Sequence, residues 1–357
     1  MNNVRTQTQE PAPPLRTSRE ATGAAAGQPG HSRRSPAQRL QHLLHAHPAI
    51  SPALILAATW VLFVLLNERF AAPATMSLLV QQTAVIAALA VGQTLIILTA
   101  GIDLSVGAAA ILAMMVMAKV ASENGIAAIP ALLIGISVAV AAGVINGLLV
   151  TRAKVPPFIV TLGTLSIFTA LALLYTGGQS IQQTAMPDLL SWTGETMSIG
   201  EFSLTTGVVI VGLIYAVVGF ALTQTSWGRH VYAVGDDAEA ARLAGIRVTR
   251  VLFSVYLAAG VIYGIAAWVL IGRAGAASPN TIADANLESI TAVVIGGTSL
   301  FGGRGGVLGT LLGALIVQSF TVGLALAGVD DQYRLLAVGI LVIAAVSVDK
   351  WIRKVSA

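Results

Sequence analysis

Among the polar side chains within or beside long apolar runs, seven are the candidates for chemistry there: Gln93, Thr94, Asp103, Ser105, Asn146, Thr161 and Thr164. Asp103 is the sharpest candidate, because a charge inside a bilayer is expensive and marks pathways, gates or proton relays. Its setting also fits a helix cap. One apolar run ends and the next begins almost without a loop, so Asp103 or Ser105 can accept backbone N–H bonds while Gly101 closes the preceding helix. The amides and hydroxyls of Gln93, Asn146, Thr161 and Thr164 suit a sugar-like solute, and they equally suit bonds between neighbouring helices. The seven are expected along a translocation pathway, with the capping and helix-bridging alternatives open. Glu288, beside Asp284 and Asn286, fits a cap or a gate on the extracytoplasmic side.

Other chemistries find little support. The chain contains no cysteine, which removes disulfides and thiolate catalysis. Its histidines, His31, His42, His45, His47 and His230, fall in the tail or in a polar loop, and no metal site is expected from them. A phosphate cradle of the G-x-x-x-x-G-K-[ST] type is absent, and the glycine-rich stretch from Gly296 to Gly309 lacks the lysine. Close helix packing is the expected use of those glycines. No Ser, His and Asp arrangement lies within the apolar runs, so an intramembrane hydrolase is disfavoured.

The elements that must position these residues follow from composition. Of 357 residues, 55% are hydrophobic and only 10% charged, too few charges to cover a soluble globule of that size. Apolar runs recur near 50 to 67, 78 to 100, 104 to 122, 126 to 150, 158 to 176, 204 to 225, 251 to 272, 289 to 303, 305 to 328 and 334 to 349. They predict an all-α polytopic membrane protein with about ten transmembrane helices, in a range of roughly eight to ten. The runs at 289 to 303 and 305 to 328 meet at Gly302, Gly303, Arg304, Gly305 and Gly306, and broken or re-entrant helices are the alternative there. Placing the N-terminus inside gathers the tail arginines, Arg152, Lys154, Arg229, Arg242, Arg247, Arg250, Arg304, Lys350, Arg353 and Lys354 on one side. Both termini are therefore expected in the cytoplasm. The basic charge is explained by these loops, so no nucleic-acid partner is expected. Residues 1 to 47, rich in Pro, Ala, Gly, Gln and Arg, predict a disordered basic cytoplasmic tail, followed by a transmembrane domain over 48 to 350 and a short tail over 351 to 357.

One polar island interrupts the apolar chain, over residues 226 to 250. Within it Asp236 is placed as N-cap with Glu239 as its capping-box partner, Ala238 to Ala244 favour helix, and Gly245 suits the left-handed position after the helix end. A helix of about two turns is marginal alone in water, so a membrane domain or a partner must hold it.

Four segments, in order, give the chain its resemblance to a known family: Gly101 to Gly107 (GIDLSVG), Val155 to Thr164 (VPPFIVTLGT), Gly228 to Gly235 continuing through Glu239 to Ile246, and Ala292 to Gly305 (AVVIGGTSLFGGRG). The chain resembles the permease subunits of ATP-binding-cassette importers for monosaccharides of the ribose, xylose, arabinose, galactose and fructose type. The resemblance implies a multi-pass protein of the bacterial inner membrane whose partners are cytoplasmic ATP-binding subunits, a periplasmic sugar-binding protein, membrane lipid and a second permease copy, as a homodimer. It implies no enzyme activity and no cofactor in this chain, with ATP and magnesium held by the partner subunit. It also implies that the segment containing Gly235, Asp236, Glu239, Ala240, Arg242 and Gly245 couples to the ATPase. An ion-coupled secondary transporter, using Asp103 or Glu288, is the competing expectation.

Overall fold

Backbone that crosses hydrocarbon must satisfy its own hydrogen bonds, and the apolar runs accordingly fold as helices. The computed structural model describes residues 50–330 except 282 and 283, with scattered positions between 332 and 347. The tail at 1 to 47, most of the run at 334 to 349 and the end at 351 to 357 lie outside the described residues.

In chain order the helices are α1 (Ile50–Leu66), α2 (Pro73–Leu98), α3 (Val106–Ser122), α4 (Ala128–Thr151), α5 (Pro157–Thr176), α6 (Thr206–Gln224), α7 (Ser226–Asp236), α8 (Ala238–Leu243), α9 (Val248–Ala274), α10 (Ala285–Ile295) and α11 (Val307–Leu326). Among the described residues six of them, α2, α4, α5, α6, α9 and α11, are long and apolar enough to cross a membrane; α1, α3 and α10 are shorter apolar helices. The run at 289 to 303 does not form one spanning helix, and the alternative of a broken helix there fits the structure. α10 has 11 residues, a rise of roughly 16 Å, about half of a hydrocarbon core. It stops at Gly296, and a stretch with left-handed Gly297, Gly302, Gly303 and Gly305 leads to α11.

The centre is built from α2, α9 and α11, whose apolar windows are 61%, 67% and 61% buried, against 28% for α4, α5 and α6. α4 approaches α9 where a Cβ on Gly143 would press on the Tyr256 carbonyl and the Gly260 backbone, the small-residue contact typical of membrane helices. α5 packs a stripe of Val160, Thr161, Thr164, Phe168, Ala172 and Thr176 inward and leaves its opposite face open.

Loops gather at two ends. At one, Asn67 Nδ2 donates to the Leu326 carbonyl at 3.0 Å, Lys119 Nζ donates to the Tyr175 carbonyl at 2.7 Å, and Ile181–Gln182 pair antiparallel with Ala276–Ala277. A hairpin of Thr196–Ile199 and Phe202–Thr205 occupies the same long connection. At the other end lie the C-terminus of α2, helices α7 and α8, and the stretch after α10.

Candidate functional site

Five of the seven polar residues converge on the link between α2 and α3. Asp103, only 1% exposed, accepts from the Ser105 N–H at 2.7 Å and from the Ser105 hydroxyl at 2.6 Å through Oδ1. Tyr263 on α9 donates to its Oδ2 at 3.3 Å. Asn146 on α4 donates to Ser105 Oγ at 2.9 Å. With its amide oriented to pair both groups, Gln93 donates to the Asp103 carbonyl at 3.0 Å and accepts from the Asp103 N–H at 3.2 Å. Thr161 on α5 donates to the Ile102 carbonyl at 3.0 Å. A buried carboxylate without a cation is tolerated only when donors surround it, and here three donors and a backbone clamp do so.

The remaining two residues lie apart from this knot. Thr94 shares a 2.7 Å hydroxyl pair with Thr310 between α2 and α11, and Thr164 bonds to the Thr161 carbonyl of its own helix at 3.4 Å. All seven are buried, at 3% exposure or less. Their polar groups are used mainly on one another and on neighbouring backbone. The Asn146 Oδ1 and the hydroxyls of Tyr256 and Thr298 are buried without a partner among the described residues. Glu288 accepts from Gln318 of α11 at 3.3 Å. Asn286 on α10 accepts the Gly107 N–H at 2.7 Å, so the first turns of α3 and α10 meet.

The expected helix end at Gly101 is displaced by one residue. Ala100 takes the left-handed conformation, φ 59, while its N–H bonds to the Ile97 carbonyl and the Gly101 N–H to the Ile96 carbonyl. That is the double closure a glycine usually provides. Gly101 is needed for space instead: a Cβ there would meet Ile96 and approach the Tyr256 hydroxyl.

The polar island holds two helices where one was expected. α7 starts at Thr225, whose hydroxyl accepts the Gly228 N–H at 3.2 Å, and it buries Gly228, Val231, Val234 and Gly235. Asp236 closes α7, so it is not the cap of α8. Asp237 does that work: its backbone is extended, and Oδ1 accepts the N–H groups of Glu239 and Ala240 at 2.9 and 3.0 Å. The capping box with Glu239 is absent: with Asp237 as cap the third helical position is Ala240, and Glu239 pairs with Arg242 at 2.7 Å. Gly245 does occupy the left-handed position, φ +85, with the Gly245 N–H on Arg242 and the Ile246 N–H on Ala241, a complete Schellman motif. Asp236, Glu239, Ala240, Arg242 and Gly245 are exposed.

Gly235 alone of the six faces inward. A Cβ on it would overlap the Leu98 carbonyl and lie 2.7 Å from the Gly303 nitrogen, and Gly303 donates to that same carbonyl at 3.0 Å. Tyr232 donates to the Gly305 carbonyl at 2.9 Å; burial pushes its phenol above the ordinary value, which keeps it a donor. α7 is thereby fastened to the last turn of α2 and to the stretch that follows α10. Beside this junction Thr99, Gly101, Lys154, Pro156, Pro157 and Tyr256 border a cleft of about 270 Å³.

Several contributors escaped the sequence reading. Leu243, 84% exposed, is a large apolar residue standing free in a polar island. Tyr256 and Tyr263 are seven residues apart on α9, a spacing that puts both hydroxyls on one helix face and was legible in principle.

Fold and site together define a polytopic helical membrane protein with a polar two-helix projection fastened to its interior. The described residues hold no cluster of His, Cys, Asp or Glu able to bind a metal. Residues 75–346 match the family described as "Branched-chain amino acid transport system / permease component", and the chain belongs to it. It is 47% identical to the fructose import permease protein of Rhizobium meliloti over 90% of both chains. It is 36% identical to the ribose import permease protein of Bacillus subtilis, covering 84% of this chain and 92% of that relative. To the D-allose transport system permease protein of Escherichia coli K12 it is 33% identical, over 76% and 82%. No solved structure matches it.

Proposed function

We propose that the chain is the membrane-spanning permease subunit of an ATP-driven monosaccharide importer in the bacterial inner membrane, with fructose as its first candidate cargo. The 47% identity to a fructose import permease over nine-tenths of both chains carries this reading. The exposed helix α8 and its neighbour α7 form the coupling element: α8 presents Glu239, Ala240, Arg242 and Leu243 to a cytoplasmic ATP-binding subunit, and α7 carries its displacement to Leu98 and Gly303. Two copies of the chain enclose the path, lipid surrounds them, and a periplasmic binding protein delivers the sugar. This chain binds no cofactor; ATP and magnesium belong to the partner. Alternating access then follows when the ATPase pair closes and the two ends of the path exchange openness.

The test is purification from membranes in mild detergent, followed by identification of bound subunits and an ATPase assay. An ATP-binding subunit that is lost when residues 237–245 are altered supports the reading. Recovery of this chain alone, with uptake in liposomes driven by an ion gradient, overturns it in favour of Asp103 or Glu288 as coupling groups. Competition of labelled fructose uptake by unlabelled fructose, ribose, allose and leucine then assigns the cargo.

A further inference from the structure

The open face of α5 carries two hydroxyls where hydrocarbon would not tolerate them unpaired. Ser166 and Thr169 lie in the middle of Pro157–Thr176, both exposed, and neither side chain has a hydrogen bond among the described residues. Exposed hydroxyls on other spanning helices behave differently. Ser137 on α4 returns its proton to the Leu133 carbonyl at 2.7 Å, and Thr223 on α6 to the Gly219 carbonyl at 2.8 Å. The outer face of α6 around its middle is wholly apolar, with Val209, Leu213, Val217 and Phe220 exposed. On α5 the neighbouring Gly163 also has open space, with nothing within 4 Å of a Cβ built on it. At its lower end the helix begins at Pro156 and Pro157, which border the 270 Å³ cleft that also takes in Tyr256, whose buried hydroxyl lacks a partner.

We infer that Ser166 and Thr169, with Gly163, line the solute path, that this α5 face meets the same face of a second copy across water, and that its hydroxyls bond the hydroxyls of an uncharged sugar. The inference rests on the proposed transport function and names the residues of that path. It moves the contact surface away from Asp103 and its partners, which are enclosed and bonded to one another. Neutral hydroxyls suit such a cargo: they exchange hydrogen bonds with a polyol without holding it, and a path needs weak contacts that release. A lipid-facing Ser or Thr turns its hydroxyl onto the carbonyl four residues back, as Ser137 and Thr223 do; Ser166 and Thr169 leave theirs outward, free for water or a solute.

Because the chain has no cysteine, single Ser166→Cys and Thr169→Cys variants carry one thiol each. The assembled transporter in liposomes is treated with a membrane-impermeant thiosulfonate, and label on this chain is followed with time. The comparison is Val217→Cys, 59% exposed on the apolar face of α6. Only a thiolate in water reacts, so path-lining positions label at least about tenfold faster than a lipid-facing one. Fructose at saturating concentration slows them. Labelling at both positions as slow as at Val217→Cys overturns the inference, and so does fast labelling that the sugar leaves unchanged. Uptake is measured in the same liposomes. ATP-dependent uptake with silent thiols removes only this assignment, whereas uptake indifferent to ATP removes the proposed function whatever the thiols do.

Discussion

Gly235→Ala is the sharpest perturbation the structure offers, because one methyl group is placed against backbone on two sides. The added Cβ overlaps the Leu98 carbonyl and crowds the Gly303 nitrogen, and neither can rotate away as a side chain would. Overpacking of this kind costs about 1–3 kcal/mol. Parting Gly303 from Leu98 leaves a buried donor and acceptor unpaired, at about 1–3 kcal/mol more. Alanine returns about 1 kcal/mol of helix propensity within α7. The net penalty, about 1–5 kcal/mol, falls on the junction between α7 and α2, so the balance shifts toward a relaxed junction by roughly fivefold or more. The helices that cross the membrane do not depend on this contact. The protein therefore reaches the membrane in normal amount, ATP hydrolysis persists, and sugar uptake falls by at least about fivefold. Gly212→Ala, with nothing within 4 Å of the new methyl, is the matched control and leaves uptake unchanged. Uptake by Gly235→Ala within about twofold of the wild type, at equal abundance, refutes the claim that this contact transmits motion.

Four further outcomes follow from the same contacts. Gly245→Val forces a β-branched residue into φ +85; the Schellman closure opens at a cost of about 1–2 kcal/mol, and co-purification of the ATPase drops while thermal stability in detergent is retained. Leu243→Asp removes an apolar group that is 84% exposed and abolishes ATPase binding with little change in the protein's own melting; unchanged binding would show that α8 docks by another face. Asp103→Ala strips Ser105 and Tyr263 of their acceptor, about 1–3 kcal/mol for each buried group left unpaired, so it lowers the melting temperature in detergent more than Asp103→Asn, which keeps an acceptor at Oδ1; equal losses refute the knot. Tyr232→Phe and Asn286→Ala, combined in a double-mutant cycle on uptake, deviate from additivity by more than about 0.5 kcal/mol if the two bonds belong to one moving unit, and additive effects break that link.

Much of the fold was legible because hydrophobic length is a strong signal. The runs that became α4, α5 and α6 matched their helices within two or three residues. Signals of one residue in width were less secure. Asp236 and Asp237 are adjacent acids that both resemble caps, and only the burial of Val231, Val234 and Gly235 fixes which of them ends α7 and which begins α8. Ala100 in place of Gly101 has the same origin, since tertiary contacts of the tightly packed link paid a local cost that propensity alone assigns to glycine. For the polar residues inside the spans, sequence names side chains but not their surroundings. Asp103 and Ser166 are both polar groups in apolar runs, and nothing in their spacing tells that one is enclosed by donors while the other faces outward. That distinction depends on which helix covers which, a property of packing angles and not of periodicity.

The junction and the knot are separated by little chain, so the proposed displacement of α7 would have somewhere to go. Leu98 is held by Gly303, Asp103 is held by Gln93, and the link between them contains a left-handed alanine, a conformation that a residue with a Cβ keeps only under constraint. A link so short and anchored at both ends cannot absorb displacement quietly; shifting Leu98 either opens a clamp or moves Asp103 and the first turn of α3 with it. The stretch grasped by Gly235 and Tyr232 on the other side leads back to α10, whose Asn286 holds the Gly107 N–H at that same first turn. Two routes from α7 thus close on one point at the start of α3. A closed circuit of hydrogen bonds and backbone contacts cannot lose one member without loading the others, so it favours two discrete arrangements over a continuum. Alternating access requires an element of that kind, and the buried polar groups fit the role of its joints better than that of contacts for the sugar.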